Sequence, residues 1–97
     1  MTPIIWSPQA IDDVLGIQAY IRPDSERYAD LVVRRIVASV ERLALFPESG
    51  RMVPERRDPE IREVILRPFR IVYRYRGSVV EIVAVFRGSR EFPTEVK

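Results

Sequence analysis

The sequence predicts an α+β domain of order β-α-α-β-β-β, with a helical hairpin packed on one face of a mostly antiparallel four-stranded sheet. Three observations lead there. Residues 67–90 form two runs about Gly77-Ser78, and in the first run Phe69, Ile71, Tyr73 and Tyr75 alternate with Arg70, Val72, Arg74 and Arg76. That period of two marks a strand with one face on a core. Two stripes of helical period lie upstream, separated by the breaker Arg22-Pro23-Asp24. Finally, the connections between the last three strands are short, so these strands pair as a meander. Residues 1–97 are read as one domain.

Pro3, Ile4, Ile5 and Trp6 make a short apolar strand, with Trp6 a packing residue at the strand–helix junction. Ser7-Pro8 starts the first helix: a serine oxygen accepts from free N–H groups, and proline at the first position has no N–H to leave unpaired. This helix runs over 8–21 with the stripe Ala10, Ile11, Val14, Leu15, Ile17 and Ile21. Asp12 and Asp13 diverge by about 100° on a helix, so they make a poor metal pair; they read as solvated acids near the positive end of the dipole. Asp24 or Ser25 caps the second helix, which ends before Pro47 and carries Ala29, Val32, Val33, Ile36, Val37, Val40, Leu43 and Ala44. Two amphipathic helices joined by a short turn make an antiparallel hairpin.

Residues 46–51 are a turn, and from there to Pro59 the chain is a polar loop. Residues 61–66 form a strand. Residues 79–86 are nearly all apolar, as expected of a central strand. The first strand joins the sheet beside this last one, and Phe92-Pro93 tucks onto the sheet edge.

Composition narrows the chemistry. The chain has no cysteine and no histidine, which removes thiolate chemistry, the commonest acid–base group and the commonest metal ligand. No cofactor and no metal are expected. No basic region precedes an apolar run and no stretch is long enough to cross a bilayer, so no signal peptide or membrane contact is expected and the cytoplasm is the expected compartment. The net charge of +2 hides an asymmetry: residues 1–50 hold five arginines against seven acids, whereas residues 51–97 hold ten arginines and one lysine against seven acids.

The basic side is therefore almost wholly arginine, whose planar fork binds carboxylates and phosphates in pairs. Arg70, Arg74 and Arg76 share one strand face with no acid of that strand among them, which reads either as a solvated face or as a surface for an acidic partner. With Arg87 and Arg90 they are the candidate target- or partner-binding residues. Glu81 on the neighbouring strand is placed to neutralise part of the row. Arg51 either caps the second helix or pairs with Glu55, and of the adjacent Arg62 and Glu63 only one can belong to a polar site.

The chain resembles the RelE/ParE family, the toxins of type II toxin–antitoxin pairs, and is closer to the ParE branch. The resemblance rests on W-S-P-x-A at 6–10, I-x-x-Y-I at 17–21 and L-x-x-F-P-x-x-G-R at 43–51. It continues with V-P-E at 53–55, R-E-V at 62–64, F-R-I-V-Y-R at 69–74 and F-R-G-S-R at 86–90. It implies a small toxin neutralised by an acidic cognate antitoxin whose C-terminal segment folds on binding, in a hetero-oligomer that touches DNA only through the antitoxin.

The branches differ in target. A ParE-like toxin inhibits DNA gyrase by protein–protein binding and needs no acid or base. A RelE-like toxin cuts mRNA on the ribosome, and for that activity the matching candidates here are Glu55 as base, Arg70 on the phosphate and Arg87 near the leaving group. Arginine keeps its proton, so Arg87 replaces an acid with a fixed charge, and Tyr73 and Tyr75 alternate with the core set. A third reading is a non-toxic antitoxin-binding partner in a repressor complex.

Overall fold

The computed structural model describes residues 1–89 and 92. Its order is β1 (Ile4–Trp6), α1 (Pro8–Ile21), α2 (Glu26–Glu41), a 3-10 turn (Arg42–Ala44), β2 (Arg51–Met52), β3 (Ile61–Leu66), β4 (Phe69–Tyr75) and β5 (Val80–Arg87). The expected sequence of elements holds, with one correction. The sheet has five strands, in the order β1-β5-β4-β3-β2, not four. The extra strand β2 is two residues long, too short for a period to show in a stretch rich in proline and arginine.

Each element has a local cause. Ser7 Oγ accepts from the Ala10 N–H at 3.1 Å and Ser25 Oγ from the Tyr28 N–H at 3.1 Å, so Ser25, not Asp24, caps α2. A serine cap contributes about 1 kcal/mol. Gly77, at φ 67°, takes the left-handed position in the turn between β4 and β5. β1 runs parallel to β5, pairing Ile4 with Val80 and Trp6 with Ile82, while the other pairs are antiparallel. β5 thus lies between β1 and β4, which explains its apolar run.

The alternation in β4 divides two cores. Phe69, Ile71 and Tyr73 join Ala29, Val32, Ile36 and Val40 of α2 and Val14 of α1 in the main core, with Trp6 packed against it. Val72 faces the other way, with Ile61, Ala84, Phe86 and Val53, and Phe92 is packed against this second cluster. The second face is therefore partly covered by the segment after β2. Each face gains from apolar burial, but the second is small, and polar contacts carry much of its organisation.

Asp13 departs from its expected role. Its Oδ2 accepts from the Val85 N–H of β5 at 2.9 Å, and its Oδ1 from Gln9 Nε2 at 2.8 Å. β1 covers β5 only from Val80 to Ile82, so beyond that point the edge of β5 needs another acceptor, and the aspartate of α1 supplies it. The residue is a clasp between helix and sheet, not a solvated acid.

Candidate functional site

The site grows from a single acid on an apolar strand face. Ile61, Glu63 and Ile65 alternate on β3, and their cross-strand partners on β4 are Arg74, Val72 and Arg70. A carboxylate fully buried among such neighbours needs cations. Glu63 has two: Arg70 Nε donates to its Oε1 at 2.6 Å, and Arg51 Nε donates to its Oε2 at 2.7 Å. β2 exists to deliver the second, since Arg51 pairs with Glu63 in its register. Arg51 thus neither caps α2 nor pairs with Glu55.

Arg70 is itself buried and its remaining nitrogens are used. Nη1 donates to Glu55 Oε2 and Nη2 to Glu55 Oε1, both at 2.8 Å. Its guanidinium carbon lies 5.3 Å from the Phe86 ring centre and 5.4 Å from that of Phe92, cation–π range for both. The two rings meet edge to face, 5.8 Å apart at 88°. The result is an alternating ladder, Arg51–Glu63–Arg70–Glu55, walled by two phenylalanines.

The fork of Arg70 holds the Glu55 carboxyl well below the ordinary carboxylate range, at about 2. The same contacts push the Arg70 guanidinium further up, above its already high value. At neutral pH Glu55 is an anion committed to a neighbour. It lines a cavity of about 660 Å³ together with Arg51, Arg67, Arg70, Gly88 and Ser89.

The other expected residues are distributed differently. Arg74 lies 3.7 Å from Asp58 and 3.6 Å from Glu60, and Arg76 lies 3.3 Å from Glu60. The acids that balance the row come from the loop before β3, not from Glu81. The absence of acids within the strand, which suggested a surface awaiting an acidic partner, is thus met inside the chain. Arg87 points to the helix side of the sheet, its guanidinium carbon 5.6 Å from the Phe69 ring centre. It lines a separate groove of about 450 Å³ with Asp12, Asp13, Gly16 and Tyr20. Of the three nuclease candidates, Glu55 and Arg70 come together and Arg87 is on the opposite face. Arg90 lies outside the described residues.

The tyrosines do not complete an acid–base set. Tyr73 is fully buried on the helix side, donating to the Pro47 carbonyl at 2.8 Å and accepting from the Gly50 N–H at 3.0 Å. Burial pushes its hydroxyl pKa up. Tyr75 donates to the Gly77 carbonyl at 3.3 Å beside the hairpin turn. Arg62, on that same side, donates to the Gly50 carbonyl at 2.9 Å and the Glu48 carbonyl at 3.2 Å. Arg62 therefore holds the turn after α2, and Glu63 is the partner that enters the polar site. Among the described residues no group of three or more histidine, cysteine or acidic side chains is placed to hold a metal ion.

Fold and site together define a small α+β domain that carries an ion-pair ladder on one face of its sheet. Comparison with known proteins gives its family. Residues 4–92 match the family model described as ParE toxin of type II toxin–antitoxin system, parDE. The chain is similar to the putative toxin Y4kP of Sinorhizobium fredii, 35% identical over 91 residues that span 93% of this chain and 92% of the relative. It is also similar to toxin RelE2 of Caulobacter vibrioides, 29% identical over 91 residues that span 93% of this chain and 99% of the relative.

A solved structure of the chromosomal ParDE system from P. aeruginosa superposes with a TM-score of 0.74 at 26% identity, covering 90% of this chain and 96% of that one. The chain belongs to the ParE family and is a toxin of a type II toxin–antitoxin system, with an antitoxin as its partner. No helix among the described residues is long and apolar enough to cross a membrane.

Proposed function

We propose that this toxin acts by binding, as a ParE-like inhibitor of DNA gyrase in the cytoplasm, and moves no proton of its own. One observation carries the proposal: the double hydrogen bond that consumes both Glu55 and Arg70. A general base works best with a pKa near the working pH, and Glu55 is held at about 2. The arginine that would meet a phosphate has its fork already filled by a carboxylate. The expected proton donors are not beside them either: Arg87 faces the other side of the sheet and the Tyr73 hydroxyl is bound at the turn after α2.

A binding toxin needs none of these groups free. It needs a rigid surface, and the ladder, the Asp13 clasp and the Tyr73 anchor each make the fold rigid. Arginines at the rim, among them Arg76 and Arg87, supply anchors of the kind that protein interfaces favour. A cognate antitoxin neutralises the toxin by covering part of that surface.

The ribonuclease reading has one observation in its favour: Glu55 and Arg70 share an open cavity with Arg51 and Arg67. Purified toxin titrated into a gyrase supercoiling assay, beside primer extension on translated mRNA, separates the two. Loss of supercoiling without new mRNA ends is the expected outcome. Cuts within ribosome-bound codons, abolished by Arg70→Ala, together with unaffected gyrase, would overturn the proposal.

A further inference from the structure

We propose that two copies of this chain join through the outer edge of β1, about a two-fold axis at Ile5. The proposal rests on neither the gyrase reading nor the antitoxin.

The backbone leaves that edge open. β1 is the last strand on its side of the sheet. In the parallel ladder with β5, the Val80 N–H donates to the Pro3 carbonyl and the Ser7 N–H to the Ile82 carbonyl, both at 2.9 Å. Bonding groups alternate along a strand, so Pro3, Ile5 and Ser7 turn toward β5 while Thr2, Ile4 and Trp6 turn outward. Thr2 is satisfied, since its N–H donates to the Ala44 carbonyl at 2.8 Å. For Ile4 and Trp6 no outward backbone partner stands among the described residues. Open groups of this kind form a template for another strand.

Ala44 also brings an apolar corner to the edge. Leu45 and Phe46 follow it directly and are 62% and 57% exposed. Ile4 and Trp6 pack on the main core, so Ile5 lies on the sheet face away from the helices, where it is 53% exposed. In a chain whose residues are 31% charged, residues 1–11 and 43–47 hold no charged side chain. Exposed apolar side chains mark an interaction site, and depletion of charge is the mark of a homodimer interface.

Charge and symmetry select the occupant. An acidic segment would find no cation on these residues, and a basic one no acid. A second copy needs neither. Antiparallel pairing centred on Ile5 sets Ile4 against the second copy's Trp6 and Trp6 against its Ile4, and each such pair exchanges two N–H···O bonds. The two Ile5 residues then meet with Cα atoms about 4.5 Å apart. On the helix side each Ile4 lies beside an indole, a favourable pairing of β-branched and aromatic side chains. The same register lays Thr2 opposite the second copy's Pro8, so Leu45 and Phe46, beside Thr2, meet the start of its α1 and add apolar area.

The nearest charges on the other face do not oppose this. Glu81 stands opposite Ile5 on β5, and Arg74 opposite Glu81 on β4. Across the axis the two Glu81 residues are roughly 14 Å apart, three strand spacings, which is beyond a Debye length. A self-complementary two-fold contact is the commonest form of protein assembly.

The test is the mass of the purified full-chain toxin by light scattering across the micromolar range, together with cysteine crosslinking. The chain has no cysteine. Ile5→Cys therefore carries one thiol at the axis, and Met52→Cys one thiol at the opposite edge of the sheet, where Met52 is likewise about half exposed. Cα atoms about 4.5 Å apart are within disulfide reach. The native toxin should be a dimer, and Ile5→Cys should crosslink at least about tenfold faster than Met52→Cys. Ile5→Lys, which sets like charges at the axis, should dissociate at least about tenfold more readily. A native toxin that is monomeric throughout overturns the proposal. So does a dimer that crosslinks no faster through Ile5→Cys than through Met52→Cys, or one that Ile5→Lys leaves unchanged. Ile4 and Trp6 amides that slow in exchange only when antitoxin binds a monomeric toxin overturn it in favour of the antitoxin. The mass and the crosslink use the native chain and one small exposed substitution, so neither depends on Ile5→Lys folding.

Discussion

Arg70 and Glu55 are joined by two parallel hydrogen bonds of 2.8 Å each, the fork of one matched to both oxygens of the other. The pair ties the loop after β2 to the middle of the sheet. It also joins the two residues that the ribonuclease reading would use.

The first expected consequence is in acid. Glu55 is held at about 2, below its unfolded range, chiefly by the hydrogen bonds from Arg70. Its contribution to stability is therefore complete above about pH 4.5, its unfolded value, and is lost as pH falls toward 2. Carboxyl NMR should place the Glu55 midpoint near 2. Unfolding followed from pH 5 to pH 2 should lose less stability in Glu55→Gln than in the native chain. Because Glu55 is partly exposed, the difference should be modest.

Removing the buried acid should cost much more. Glu63→Ala leaves Arg70 short of its inner partner and opens a gap between Ile61 and Ile65. Breaking a buried pair from one side costs about 3 to 5 kcal/mol, and urea denaturation should show a loss of that order. Arg51→Ala, removing the exposed partner of the same carboxylate, should cost about 1 kcal/mol.

Tyr73→Phe separates a structural tyrosine from a catalytic one. The hydroxyl bridges the Pro47 carbonyl and the Gly50 N–H, so its loss should destabilise the fold by about 1 to 3 kcal/mol, the cost of leaving buried partners unsatisfied. At a temperature where the variant is folded, toxicity should persist. Abolished toxicity in a fully folded Tyr73→Phe chain would assign the hydroxyl a chemical role.

Gly50→Ala tests the close approach at the same turn. Its Cβ would fall 2.6 Å from the Tyr73 hydroxyl and 2.7 Å from the Glu63 carbonyl, too near without movement of backbone. A loss of about 2 kcal/mol or more is expected in urea denaturation, in the range of overpacked sites. Pairing the substitution with Tyr73→Phe should recover little, because the Glu63 carbonyl remains.

Much of this architecture was legible in the sequence because its signals are local. Ser7-Pro8, the helical stripes, the period of two in β4 and the Gly77-Ser78 turn each act within a few residues. The site was less legible because its contacts are not. The acids that neutralise Arg70, Arg74 and Arg76 lie 7 or more positions earlier in the chain, on another strand or loop. A row that looks unbalanced along one strand is balanced across the sheet. Glu63 carried a usable signal, since an acid between Ile61 and Ile65 on a strand must find a cation on the neighbouring strand. Asp13 carried none: its acceptor role follows from where β1 stops covering β5. Arg87 is near Arg70 in the chain's pattern of arginines, but the register sets it opposite Phe69, on the helix side, and sets Phe86 opposite Arg70.

The central claim is that the toxin works by contact and not by proton transfer, and Glu55→Gln tests it most directly. Glutamine keeps the size of the side chain and one oxygen for Arg70 but cannot act as a base. In a gyrase supercoiling assay run beside primer extension on translated mRNA, the purified variant should inhibit supercoiling within about threefold of the native toxin, with neither protein producing new mRNA ends. Native toxin that leaves gyrase untouched and cuts mRNA, with cutting lost in Glu55→Gln, would contradict the claim.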